Sequence, residues 1–180
     1  MSNSKGSVMN NAAGPASSGA AVLIASARAG KYLTFFLAGE EYGLEILKVS
    51  EIIGMQAITR VPRTPEFVRG VINLRGRVIP ITDLRVKFGM EAGTEQESCI
   101  IVVQLRDVQT GIVVDRVSEV VALLEDDIAD SPDFANGVQT DLLLGIAKAG
   151  GRVKLLLDID KVLAAHEVVQ MAESTSAHAA

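Results

Sequence analysis

Two histidines, one cysteine and twenty-two acidic residues are what this 180-residue chain offers for catalysis or metal binding. Their spacing offers little. His166 and His178 both lie near the C-terminus, and Cys99 stands alone in the apolar run "SCIIVVQL". A Cys–His nucleophile or a two-histidine metal site would have to be built from these outliers. The acidic groupings, Asp115 with Glu119 and the run Glu125-Asp126-Asp127, have no histidine, serine-rich loop or glycine phosphate cradle beside them, so helix capping or a solvated role accounts for them. Neither an enzyme nor a cofactor or metal is expected. The chemistry that remains is recognition. In "GVINLRGRVIPITDLR" (70 to 85) a run of strand formers is interrupted by Asn73, Arg75, Gly76 and Arg77 and stopped by Asp83. A guanidinium at such a bend can hydrogen-bond a carboxylate or backbone carbonyls of a partner.

Composition narrows the partners. Seventeen Lys and Arg against twenty-two Asp and Glu give a formal charge of −5, and aromatics are 4% with no Trp. Phosphate backbones need a basic face and single strands need stacking rings, so nucleic acid is a poor fit. No apolar run approaches the ~18 residues that cross a bilayer, so direct membrane insertion is not expected. "AAVLIASARA" (20 to 29) is too short an apolar stretch, with only Lys5 before it, to read as a secretory signal.

The elements that must hold the bend are mostly strands. Residues 1 to about 30, rich in Ala, Ser, Gly and Asn, read as a disordered leader. "KYLTFFLAGEEYGLEI" reads as a hairpin and "EILKVSEII" is ambiguous, while Pro62 and Pro65 make the next link extended. "GVINL" and "RVIPITDL" meet across Arg75-Gly76 as a second hairpin, in which Pro80 predicts an edge or broken strand. Asp83 is placed to cap a short helix before Gly89. "SCIIVVQLRDVQTGIVVDRVSEVVALL" gives two or three more strands, and "EDDIADSPDFANGVQTD" is a loop. "LLLGIAKAG" and "GRVKLLLDI" are the last strands, leading to a helix that starts near Asp158 and then a C-terminal helix and flexible tail over 166–180.

The chain repeats itself. "GLEILKVSEII" (43 to 53) aligns with "GIVVDRVSEVV" (111 to 121) at an offset of 68. "GVINLRGRVIPITDL" aligns with "GIAKAGGRVKLLLDI" at an offset of 75. Two related β-units, each of about five strands and a short helix, follow from this. Hiding their edges calls for two small barrels packed together. Shared residues such as Gly70, Gly76 and Asp83 then read as scaffold, and Asn73-Leu74-Arg75 and Pro80 as what distinguishes the first copy.

These same stretches carry a resemblance. "EEYGLEILKVSEI", "TPEFVRGVINLRGRVIPITDLRVKFG", "GIVVDRVSEV" and "PDF", in that order, are similar to the CheW family of bacterial chemotaxis coupling proteins over about 31 to 165. The resemblance implies a mainly β fold of two intertwined five-stranded SH3-like barrels around a shared core, the first unit about 31–90 and the second about 97–165. It implies an adaptor joining the histidine kinase CheA, through its CheW-like regulatory domain, to the cytoplasmic tips of chemoreceptors, with CheW–CheW contacts in rings. Cytoplasmic location at membrane-associated arrays goes with it. Partner-binding residues carried over are Arg75, with Asn73, Gly70 and Gly76 shaping its bend, then Val49 and Glu51. Val117 and Glu119 echo the last two, which makes part of that motif structural. Phe134, an aromatic in a polar loop, is a further anchor, either for that loop or for a second partner.

Three rivals are set beside this reading. A β-barrel enzyme or small-molecule binder lacks a reactive constellation, and an oligonucleotide-binding barrel is disfavoured by charge. The third is the same adaptor domain serving a chemosensory pathway other than swimming, which the sequence does not separate from the main reading.

Overall fold

The computed structural model describes residues 28–94, 96–132 and 140–163. Strands β1 (Gly30–Leu37) and β2 (Glu40–Glu45) form a hairpin, followed by a 3₁₀ turn (Ile46–Lys48) and β3 (Val49–Gly54). β4 (Val68–Leu74) and β5 (Arg77–Asp83) form another hairpin that ends in helix α1 (Leu84–Lys87). The order then recurs: β6 (Cys99–Leu105), β7 (Val108–Val114), β8 (Arg116–Leu123), the short β9 (Ile128–Ala129), β10 (Leu143–Ala149), β11 (Arg152–Leu157) and α2 (Ile159–Val162). Both helices start at the expected aspartates. Asp83 Oδ1 accepts from the Arg85 and Val86 N–H groups, and Asp158 Oδ1 from the Lys161 N–H.

Each sheet draws strands from both copies of the repeat. One runs β8-β1-β2-β11-β10-β9 and the other β3-β6-β7-β5-β4. Hairpin β1–β2 of the first copy sits between β8 and β11 of the second, while β6–β7 sits between β3 and β5 of the first. The two sheets are therefore pseudo-equivalent, and the two seams are the parallel pairs β2·β11 and β7·β5. At matching points of those seams a glycine admits an aliphatic side chain: a Cβ on Gly43 would lie 3.0 Å from Leu156, and one on Gly111 2.5 Å from Ile81.

Among the described residues this topology leaves three apolar clusters. Ile72, Ile79, Ile81, Ile100, Val102 and Val113 fill one barrel. Tyr32, Leu123, Ile128, Ala147 and Leu156 fill the other. The largest cluster lies between them and takes Leu33, Phe35 and Leu37 from β1 and Ile101, Val103 and Leu105 from β6. Those two strands are thus buried on both faces, which is why "CIIVVQL" has no polar alternation. Cys99 is half-buried against the shared cluster, where desolvation pushes its thiol up.

Pro80 departs from expectation. Its strand is neither broken nor at an edge, since β5 lies between β7 and β4. The ladder to β7 begins at Ile81, one residue later, so the missing N–H of Pro80 leaves it intact.

The chain crosses between sheets twice. One crossing is the Ile46–Lys48 turn, tied by Lys48 Nζ to Asp160 Oδ2 at 2.7 Å. The other is the single residue Asp115 between β7 and β8. Its N–H donates to the Phe36 carbonyl at 3.0 Å, its Oδ2 accepts from the Ala38 N–H at 2.8 Å, and the Arg85 guanidinium of α1 grips both carboxylate oxygens, Nε reaching Oδ1 at 2.6 Å. Desolvation pushes the Asp115 carboxyl up, but Arg85 and the Ala38 N–H outweigh it and hold it below the usual 3.8. A depressed carboxylate stabilises the fold above its unfolded pKa and ceases to as pH falls through the folded value. Wild type is therefore expected to lose stability steeply below about pH 4. Asp115→Asn should cost about 1–3 kcal/mol at pH 7 in urea unfolding and show a shallower acid limb.

Candidate functional site

The bend between β4 and β5 consists of Arg75 and Gly76 alone, both left-handed, with φ of 52° and 83°. Two residues with positive φ give a hairpin turn whose twist matches the strands it joins. Asn73 braces it, its Oδ1 accepting from the Gly76 N–H at 2.9 Å. In the second copy the equivalent turn is Gly150-Gly151, at φ of 62° and 73°. Glycine adopts this conformation freely and arginine does not. The first copy carries a long cation at a position where the backbone favours glycine.

That cation has one partner among the described residues. Arg75 Nη1 and Nη2 donate to Glu51 Oε1 and Oε2 at 2.9 and 2.7 Å, a two-pronged contact between a hairpin tip and β3. β3 and β4 stand at opposite ends of their sheet's strand order; the fork spans from β3 to the β4–β5 turn, and Thr59, in the segment after β3, bridges to Val71 of β4. Arg75 is thus engaged within its own barrel. Its side chain is 74% exposed and that of Glu51 23%. The hydrogen bonds to Glu51 raise the guanidinium's pKa further, so it stays charged.

The other expected residues divide. Gly70 is a backbone necessity: its φ is 137°, a register shift falls beside it, and a Cβ there would stand 2.0 Å from the Thr59 carbonyl oxygen. Gly76 faces open space, so only its turn conformation requires glycine. Val49 packs against the shared core, as does its echo Val117. Phe134 lies outside the described residues, as do most of the leader and the 166–180 tail.

Several features of the surface were not anticipated. Leu47, on the crossing turn two residues before Val49, is 93% exposed. Ile52 and Val78 on the first barrel are about half exposed, and so are their equivalents Val120 and Val153 on the second. The segment 60–69 shapes a cavity of about 510 Å³ lined by Arg60, Arg63 and Arg69, with Arg63 at φ 63°. Within "EILKVSEII" the apolar letters gave no sign of which side chain would face water, because a 3₁₀ turn interrupts the strand period there.

Paired barrels sharing a core, with polar and apolar side chains set on exposed turns and strand faces, define a protein-interaction domain. The chain belongs to the CheW family: the model of the CheW-like domain matches residues 31–167. It is 40% identical over 149 residues to a chemotaxis protein CheW of Klebsiella aerogenes, covering 82% of this chain and 90% of that one. A Bacillus subtilis chemotaxis protein CheW is 34% identical over 137 residues, 74% of this chain and 86% of that one. Among solved structures, the crystal structure of the scaffolding protein TtCheW from Thermoanaerobacter tengcongensis superposes with a TM-score of 0.69 at 35% identity, covering 77% of this chain and 90% of that one.

The geometry separates scaffold from surface by stability. Gly70→Ala should lower stability by about 2 kcal/mol or more, because backbone has to move. Arg75→Gly should melt at or slightly above the wild-type temperature, since it trades an exposed ion pair for relief of a left-handed side-chain conformation. Thermal melts followed by circular dichroism check both.

Proposed function

We propose that this protein is a non-enzymatic chemotaxis adaptor that joins chemoreceptor tips to the kinase CheA, with the Arg75–Glu51 rim as one of its docking faces. The observation that carries the face is Arg75 itself. A charged residue is held at a strained turn position by a fork to Glu51, stands largely in solvent, and has a glycine as its counterpart in the second copy. Strain retained at an exposed point is characteristic of binding sites. Leu47 and Ile52, exposed on either side of Val49-Ser50-Glu51 in the chain, add apolar surface near it. An apolar centre with a forked cation at its rim suits the side of a receptor helix presenting carboxylates.

The paired exposure of Ile52 with Val120 and of Val78 with Val153 supports a second kind of contact. A partner built on the same fold, such as the CheW-like regulatory domain of CheA or another copy of this chain, can meet either barrel with its own. In this proposal Phe134 is an anchor for a second partner, and location is cytoplasmic, with recruitment to receptor arrays. Each contact can be weak and still hold in an array, because linkage to neighbours raises effective concentration.

The test is calorimetric titration of the purified chain against the CheA regulatory domain and against a soluble receptor-tip fragment, with wild type and Arg75→Glu. Wild type is expected to bind both. Arg75→Glu should weaken binding to one partner by roughly tenfold or more while melting like a folded protein. An unchanged affinity for both would remove Arg75 from the docking face, and no binding by wild type would assign the fold to another pathway.

A further inference from the structure

Glu41 on β2 and Lys154 on β11 are buried charges with no place on the face described above. Lys154 Nζ lies 2.7 Å from Glu41 Oε1, and the two side chains are 4% and 5% exposed. Glu119 of β8 approaches the same ammonium at 3.9 Å. Burial alone would push the Glu41 carboxyl up, but Lys154, Thr34 and Ser118 outweigh it and bring it below its ordinary value. The Glu41 carboxyl is therefore charged at neutral pH.

Their position in the repeat gives them meaning. The offsets of 68 and 75 map Glu41 onto Gln109 and Lys154 onto Ile79. The same offsets map the seam pair Gly43·Leu156 onto Gly111·Ile81. Glu41 and Lys154 each lie two residues before their seam partners, so they occupy matching points of β2 and β11. At the matching points of the other seam stand Gln109 and the fully buried Ile79. One seam is thus keyed by opposite charges and the other is not.

We propose that the Glu41–Lys154 pair is an assignment key: it directs the hairpin β1–β2 to β11 and β8 rather than to β5 and β3 of its own repeat. The two hairpins are near-copies, and so are the sites that receive them. Exchanged hairpins and unexchanged ones would build two barrels of the same outline. In the unexchanged arrangement Glu41 would face Ile79, and Lys154 would face Gln109. Glu41 would then be buried without a counter-charge and Lys154 left with only the largely exposed Glu119 at 3.9 Å, which is far more costly than burying the matched pair. A buried pair adds little stability relative to a well-packed apolar one, so its main effect is to choose between pairings. The choice matters for the docking face, because β3 and the β4–β5 hairpin carry Glu51 and Arg75.

The test removes the key by copying the other seam. The double variant Glu41→Gln/Lys154→Ile should still fold, but to more than one arrangement. Amide spectra should show doubled signals for residues of β2, β5, β7 and β11, and refolding from urea should gain a slow phase absent from wild type. The reversed pair Glu41→Lys/Lys154→Glu, made with Glu119→Gln so that no like charge faces position 154, keeps complementarity and should give a single set of signals. A double variant with one set of signals and wild-type refolding kinetics overturns the proposal. Its failure to fold also does, because the pair would then supply stability and not selection. Doubled signals in the reversed pair would assign the effect to side-chain shape, with the same consequence.

Discussion

The structure depends on two strands that are buried on both faces. β1 and β6 each present one row of side chains to a barrel interior and the other to the shared core. A strand of this kind cannot stand at the surface of a separate small barrel, because half of its apolar area would meet water. Packing the two barrels against each other meets this constraint, and exchanged hairpins tie them together. Each repeat gives its most apolar hairpin to the other, and what would have been two marginal units of some 60 to 70 residues become a single body with one large core. The glycines at the seams follow from the same demand, since the strands of the two copies meet there at close range.

An exchanged architecture needs crossings, and these carry much of the ionic chemistry. Asp115 spans the gap between sheets as a single residue, held by a backbone carbonyl, a backbone N–H and the α1 guanidinium together. Lys48 and Asp160 fasten the other crossing to α2. Partly shielded pairs of this sort fix geometry more than they add net stability. The Arg75–Glu51 fork is different in kind. It lies on an exposed rim and spans the two ends of one barrel's strand order, so a partner competing for either side chain acts on barrel closure directly.

Much of this was legible from repetition. The two offsets paired β2–β3 with β7–β8 and β4–β5 with β10–β11, and both capping aspartates followed from their place after an apolar run. Pro80 misled because its rule concerns a ladder hydrogen bond, and sequence does not show where the neighbouring ladder starts. Glu41 and Lys154 were passed over because a charged letter in an alternating strand reads as a solvent position. Only the partner strand, 113 residues away, makes burial tolerable. Arg75 stands out in the sequence as an outlier between the copies, yet its engagement by Glu51 depends on the sheet curling until the β4–β5 turn reaches β3. Leu47 was missed because its neighbours are equally apolar and a short 3₁₀ turn decides which of them points outward.

Shared burial also bears on how an adaptor of this kind can respond to its partners. Coupling between distant faces needs an element whose arrangement both faces bias. β3, which bears Glu51, pairs with β6 from Val49 to Gly54, and β6 lines both the first barrel and the common core. β7, the other neighbour of β6, leads through Asp115 into β8, the strand bearing Val120 on the second barrel. A displacement at the Arg75–Glu51 rim would therefore be felt along β6, a strand with no solvent face to absorb it. Packed interiors are stiff and pass strain to their surroundings, whereas a loop would dissipate it. An adaptor whose two barrels were joined by a flexible linker could tether its partners, but the state of one would reach the other only weakly. Exchanged hairpins make the two proposed docking faces parts of one body, and mechanical coupling requires that before any particular partner is considered.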